Sequence, residues 1–143
     1  MTDKKHSREE AAKWAREQLD AVVSEIQESG AIDSPLIEAR PTWMKPFDIV
    51  IGQLRDQNQV QEFLWVIGGS VPGDCVHSSV ATGPREAARH FSMKWQLEAA
   101  RLESVEERSR LGLDPAVDWD AQAKALAARA EYLYAVVDDD RNW

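Results

Sequence analysis

The sequence predicts an α+β protein: a small antiparallel β-hairpin or three-stranded sheet packed against three main helices. Two observations carry this reading. Three long stretches, one at the start and two in the second half, repeat apolar residues at the spacing of a helix face. Between the first and second stretch, FDIVIGQL (47–54) and EFLWVIGG (62–69) are short runs rich in β-branched and aromatic residues. A length of 143 residues suits one domain, so residues 1–143 are read as a single α+β domain, with 1–7 and 139–143 expected to fray. A hydrophobic content of 43% with six Trp is enough to build a core.

The first helix is expected over 8–29. Ser7 and Glu10 have capping-box spacing, and Ala11, Trp14, Ala15, Leu19, Val22, Val23 and Ile26 follow at helical intervals. Gly30 supplies a stop. Residues 31–46 read as irregular, because Pro35, Pro41 and Pro46 interrupt any regular element. Trp43 in this stretch is a plug for the core edge or, alternatively, a stacking surface for a ligand. The two strands are joined by the polar segment 55–61, most simply as an antiparallel hairpin. A bare hairpin is unstable in water, so helices must cover it or further strands must join it. Residues 74–80 are the candidate third strand.

Pro84 suits the first turn of a second helix, where its missing N–H costs nothing. Ala88, Phe91, Trp95, Ala99 and Leu102 carry that helix to about residue 109. Gly112 and Pro115 mark a loop, and Asp118 is a good N-cap for the last helix. Its stripe is Trp119, Ala123, Leu126, Ala127, Ala130, Leu133, Tyr134 and Val137. Asp138, Asp139 and Asp140 oppose the dipole at the C-terminal end, so the helix should stop there.

Function is harder to read. Seventeen Lys and Arg stand against 25 Asp and Glu, a formal net charge of −8. Such a surface repels phosphate backbones and anionic lipids at long range, so neither nucleic acid nor membrane is expected as a partner. Acidic surfaces on small domains most often serve solubility and less often match a basic partner protein, which is the partner reading kept here. The single Cys cannot form an intrachain disulfide and suits a reducing compartment. The first residues lack the apolar core of a secretory signal, and no apolar run approaches the ~20 residues needed to span a bilayer. A cytoplasmic location is therefore expected.

The segment WVIGGSVPGDCVH (65–77) is where chemistry is most tempting. Gly68 and Gly73 have phosphate-loop spacing, but Asp74 stands where a Lys is required and would repel phosphate. Asp74, Cys75, His77 and the distant His90 are too few and too scattered for a structural zinc site. They remain the candidates for a small catalytic or ligand-binding site, with Cys75 as nucleophile if a His meets it and lowers its pKa. The structural reading is stronger. Gly68 and Gly69 permit close backbone approach or positive φ, and Pro72-Gly73 suits a type II turn. The segment is then a corner, and no cofactor or metal is expected.

A loop Trp in Pro41-Thr42-Trp43, the run FLWVIGG (63–69), VPGD (71–74), GPREA (83–87), FSMKW (91–95) and AEYLY (130–134) occur in one order. Together they resemble the small bacterial proteins of domain of unknown function 4826, over roughly residues 10–143. Ser70 stands where that family usually has Asp, which argues against a paired-carboxylate site with Asp74. The resemblance implies a bacterial cytoplasmic origin and no assigned activity, cofactor or catalytic residue. It directs attention to Asp74 and Arg85 as binding candidates beside Trp43, or as an ion pair tying the turn to the second helix. Three functional readings stand: a non-catalytic inhibitor or immunity-like protein with an acidic surface, a small enzyme or ligand-binding protein using the 70–90 region, and a structural homodimer.

Overall fold

In the computed structural model, which describes residues 2–30, 37–56 and 62–143, the chain runs through α1 (Thr2–Glu28), β1 (Ile37–Lys45), β2 (Ile49–Asp56), β3 (Phe63–Gly69), β4 (Asp74–His77), α2 (Pro84–Glu103), α3 (Val105–Arg110) and α4 (Trp119–Asp138). The α+β class read from the sequence is the one that forms. Two compact units result, Met1–Ala87 and Ala88–Trp143.

In the first unit the four strands lie in the order β1-β2-β3-β4, each antiparallel to its neighbour. The expected hairpin is the centre of this meander, with Ile51 opposite Ile67 and Leu54 opposite Leu64. Helix α1 covers one face. Its Ala15, Leu19, Val22 and Ile26 pack with Val50, Leu54 and Val66. Alternation sends Ile49, Ile51, Trp65 and Ile67 to the other face, where they are buried as well. That is why both strands read as apolar on both sides. The indole N–H of Trp65 is satisfied by the Ala81 carbonyl oxygen at 3.2 Å.

Three expectations need correction here. Residues 37–45 were expected to be irregular and instead form β1, so the sheet has four strands where two or three were expected. Pro41 is tolerated because β1 is an edge strand and its register shifts between Pro41 and Trp43. A bulge on an edge is where the missing N–H breaks no ladder. Pro46 does end the strand: residues 46–48 turn, with Phe47 at φ 61 and its ring 5.9 Å from that of Trp14. Second, α1 begins at Thr2, so Ser7 lies inside the helix and does not cap it. Third, β4 ends at His77, and Ser78–Val80 forms a 3-10 turn. Pro35 and the connection at 57–61 lie outside the described residues.

The glycine-rich corner follows β3. Gly69 holds φ +110, and a Cβ there would collide with the Asp48 carbonyl oxygen. That same oxygen accepts the Ser70 N–H at 2.7 Å, and Ser70 Oγ donates to the Asp48 carboxylate. The positive φ sits at Gly69 and not at Gly73, so Pro72-Gly73 is not the type II turn expected from its sequence. Gly68 and Gly73 serve close approach. A Cβ at either would lie 2.9 Å from Val22 Cγ2 of α1.

The second unit holds most of α2, with α3 and α4. The helix expected to reach about residue 109 breaks after Glu103, because Ser104 takes an extended conformation and its Oγ accepts the Glu107 N–H at 3.3 Å. Phe91, Trp95 and Ala99 of α2 are buried, as are Ala123, Ala130, Leu133, Val136 and Val137 of α4. Tyr134, placed on that stripe by its spacing, is half exposed. Buried Ser92 donates to the Ala130 carbonyl oxygen at 2.9 Å and ties the two helices. Asp118 caps α4 as its sequence predicts, accepting the Ala121 N–H at 3.1 Å. The helix stops at Asp138, and the tail closes in a 3-10 turn with the Trp143 indole on the Val136 carbonyl oxygen at 3.0 Å.

Replacing Gly69 by Ala adds both a forbidden φ and a backbone clash, so Gly69→Ala should cost about 2–4 kcal/mol of unfolding free energy. Gly83→Ala, where nothing lies within 4 Å of the added carbon, should cost less than about 1 kcal/mol. Urea denaturation of the two variants measures the difference.

Candidate functional site

Strand β4 carries three of the sequence-nominated residues. Its pairing sets their directions: Val66 opposes Cys75, Ile67 opposes Asp74, and Leu64 opposes His77. Cys75 and His77 therefore share the α1 face, as their spacing implies, and Asp74 lies on the other. Sharing a face does not make a nucleophile pair here. Cys75 is half-buried against the α1 core cluster. His77 is exposed, and its Nδ1 accepts the Ser79 N–H at 3.1 Å and meets Ser79 Oγ at 2.9 Å. It caps the 3-10 turn. Asp74 Oδ1 accepts the Cys75 N–H at 2.8 Å, so this carboxylate also serves the backbone. His90 lies on α2 in the second unit. Among the described residues, no group of three or more His, Cys, Asp and Glu could hold a metal ion.

Of the binding candidates, Trp43 and Asp74 lie apart. Trp43 opposes Ile51, Ile51 opposes Ile67, and Ile67 opposes Asp74. Trp43 and Asp74 thus occupy one cross-sheet row at opposite edges, three strand spacings or roughly 14 Å apart. Both are half-buried. Arg85 is the second residue of α2 and also half-buried.

A different surface stands out once the helix faces are known. Leu19, Val22 and Ile26 point α1 into the sheet, so Glu17, Asp20, Glu25 and Glu28 face solvent. No Lys or Arg occurs between Arg16 and Arg40. Lys13 reaches Glu17 at 3.9 Å from the preceding turn. The last turn of α1 has no basic residue, although a helix C-terminus favours cations. The signal was present in the sequence as a cation-free run of 23 positions, 17–39. Only the burial of the opposite side shows that its carboxylates share one exposed surface. Beside it, Arg16, Asp20, Glu38 and Arg40 line a groove of about 510 Å³ whose charges balance, with Arg40 Nε on Glu38 at 3.2 Å.

Packing of the Cys75 side chain against the α1 cluster predicts slow modification. A thiol reagent at pH 7 should label Cys75 more slowly than free cysteine, and unfolding in urea should restore the free rate. Labelling at or above the free rate in the folded protein would show an activated thiolate that the observed packing does not account for.

No curated protein and no solved structure matches the chain. No helix among the described residues is long and apolar enough to cross a membrane. A family match does exist, and it runs through the corner, the sheet and both long C-terminal helices: over residues 8–143 the chain matches domain of unknown function 4826, and it belongs to that family.

Proposed function

We propose that this is a non-catalytic protein-binding or regulatory protein, of the inhibitor or immunity kind, which engages a basic partner through the outer side of α1. The observation that carries the reading is the placement of Glu17, Asp20, Glu25 and Glu28 on one exposed helix side, with no Lys or Arg in residues 17–39. Stability alone would favour cations near the end of α1, where each carboxylate costs about 0.3–1 kcal/mol. Complementary charge is a good use for such a surface. It steers encounter with a basic protein and penalises wrong partners. The residues around Cys75, by contrast, spend their polar atoms on the corner itself. A single cysteine, outside any disulfide, suits a reducing bacterial cytoplasm as the place of action.

Capture of tagged protein from a lysate of its host, washed at low and high salt, tests the proposal. The expected result is one stoichiometric basic protein that is retained at low salt and released at high salt. The double variant Glu25→Gln/Glu28→Gln should lose that partner while gaining about 0.6–2 kcal/mol in unfolding free energy. Retention of the partner by this variant, or a preparation with no partner at low salt, would overturn the reading. Light scattering on the same samples tells a homodimer from a heteromeric complex.

A further inference from the structure

In the second unit, α3, the loop after it and the start of α4 line an open cleft of about 530 Å³. Its walls include Val105, Leu113, Pro115, Val117 and Trp119, with Arg108 as its charged lining residue. The cleft is held by a closed set of local bonds. Gly112, at φ +67, ends α3 with its N–H on the Ser109 carbonyl oxygen at 3.1 Å and the Leu113 N–H on that of Arg108 at 3.1 Å. This pair of bonds is the glycine-terminated helix stop that turns a chain back over its last turn. Asp114 accepts the Ala116 N–H at 2.9 Å and, through its carbonyl oxygen, the Trp119 indole N–H at 2.7 Å. The indole is thereby fixed as a wall.

Arg108 is half-buried and brings the charge to the cleft. Its side chain is 19% exposed, yet its one ion-pair partner among the described residues is Asp120, itself 68% exposed, at 3.6 Å. That separation is beyond hydrogen-bond reach, and no other described oxygen accepts from the guanidinium. Among the described residues no buried side-chain nitrogen or oxygen lacks a partner, so the guanidinium nitrogens are reached by water and their N–H donors stay available to a ligand in the cleft.

We propose that this cleft binds a small apolar monocarboxylate, an aromatic or branched aliphatic acid, whose carboxylate takes the two-point contact Arg108 leaves open. The apolar walls receive the hydrocarbon body, and the volume falls in the range of small-molecule sites. One lining cation matches one negative charge. A dianion such as phosphate would carry surplus charge against Asp120 and offer nothing to the apolar walls.

Titration of the full chain with phenylacetate, 3-methylbutanoate, neutral phenylacetamide and inorganic phosphate, followed by the indole N–H resonance of Trp119, tests this. At least one of the two acids should bind saturably with Kd near or below about 1 mM. Phenylacetamide and phosphate should each bind at least about tenfold more weakly than the better acid. Arg108→Gln should weaken the better acid at least about tenfold, whereas Asp120→Asn, which removes the competing carboxylate from an exposed position, should tighten it several-fold. Binding of acid and amide alike, phosphate binding as tight as the acid, or no saturable binding of either acid up to about 10 mM overturns the proposal. The comparison of ligands needs no variant, so a poorly folded Arg108→Gln chain would not leave it undecided.

Discussion

Helix α1 lies so close to the sheet that there is no room for a β-carbon at three places beneath it. Cβ atoms at Gly68 and Gly73 would sit 2.9 Å from Val22 Cγ2, and one at Gly52 would sit 2.7 Å from Leu19 Cδ1 and 2.6 Å from the Arg40 carbonyl oxygen. Two side chains of the helix thus occupy the space that three missing side chains of the sheet and its corner leave. This close seating fixes the rotation of α1 about its own axis. Because Leu19, Val22 and Ile26 enter the sheet, Glu17, Asp20, Glu25 and Glu28 fall at exposed positions of the helix. The acidic surface offered for partner recognition is the reverse side of the packing that holds the first unit together.

Hydrogen-bond accounting separates the two regions where chemistry was sought. Around the corner, polar atoms are engaged locally. Asp48 takes both the N–H and the hydroxyl of Ser70, Asp74 holds the Cys75 N–H, and His77 holds that of Ser79. Such bonds stabilise a turn and leave little for a substrate. The α3–α4 cleft is the opposite case. Its backbone is closed on itself, and its guanidinium is the group left short of partners. No buried side-chain nitrogen or oxygen lacks a partner among the described residues, so the Arg108 donors are held by water and open to exchange for a ligand.

Features resting on nearby residues were legible in advance. The central strands, the stop at Gly30, the Asp118 cap and the helix-breaking start at Pro84 each depend on a few neighbouring side chains and backbone preferences. So did the recognition of 65–77 as a corner, although the glycine with positive φ proved to be Gly69 and not Gly73. Where the reading failed, distant parts of the chain decided. A proline-containing segment became β1 because β2 offers it an edge with room for a bulge. Ser7 did not start α1, and Ser104 divided the second long helix, because a cap pattern is only one term among several that set where a helix ends.

The sequence by itself determined the α+β class, the order of the long helices and central strands, the net charge of −8 and the lack of any strong catalytic motif. These follow from composition, periodicity and local turn chemistry, which need no knowledge of what lies opposite. Tertiary structure alone decided that Trp43 and Asp74 stand at opposite edges of a sheet, and that Cys75 is packed while His77 caps a turn. It also decided that four carboxylates share one exposed helix side and that Arg108 is half-buried in a cleft. Each of these is a statement about neighbours far apart in the chain. Periodicity tells which residues share a face of their own element, but only packing tells which face is buried and what a polar group finds there.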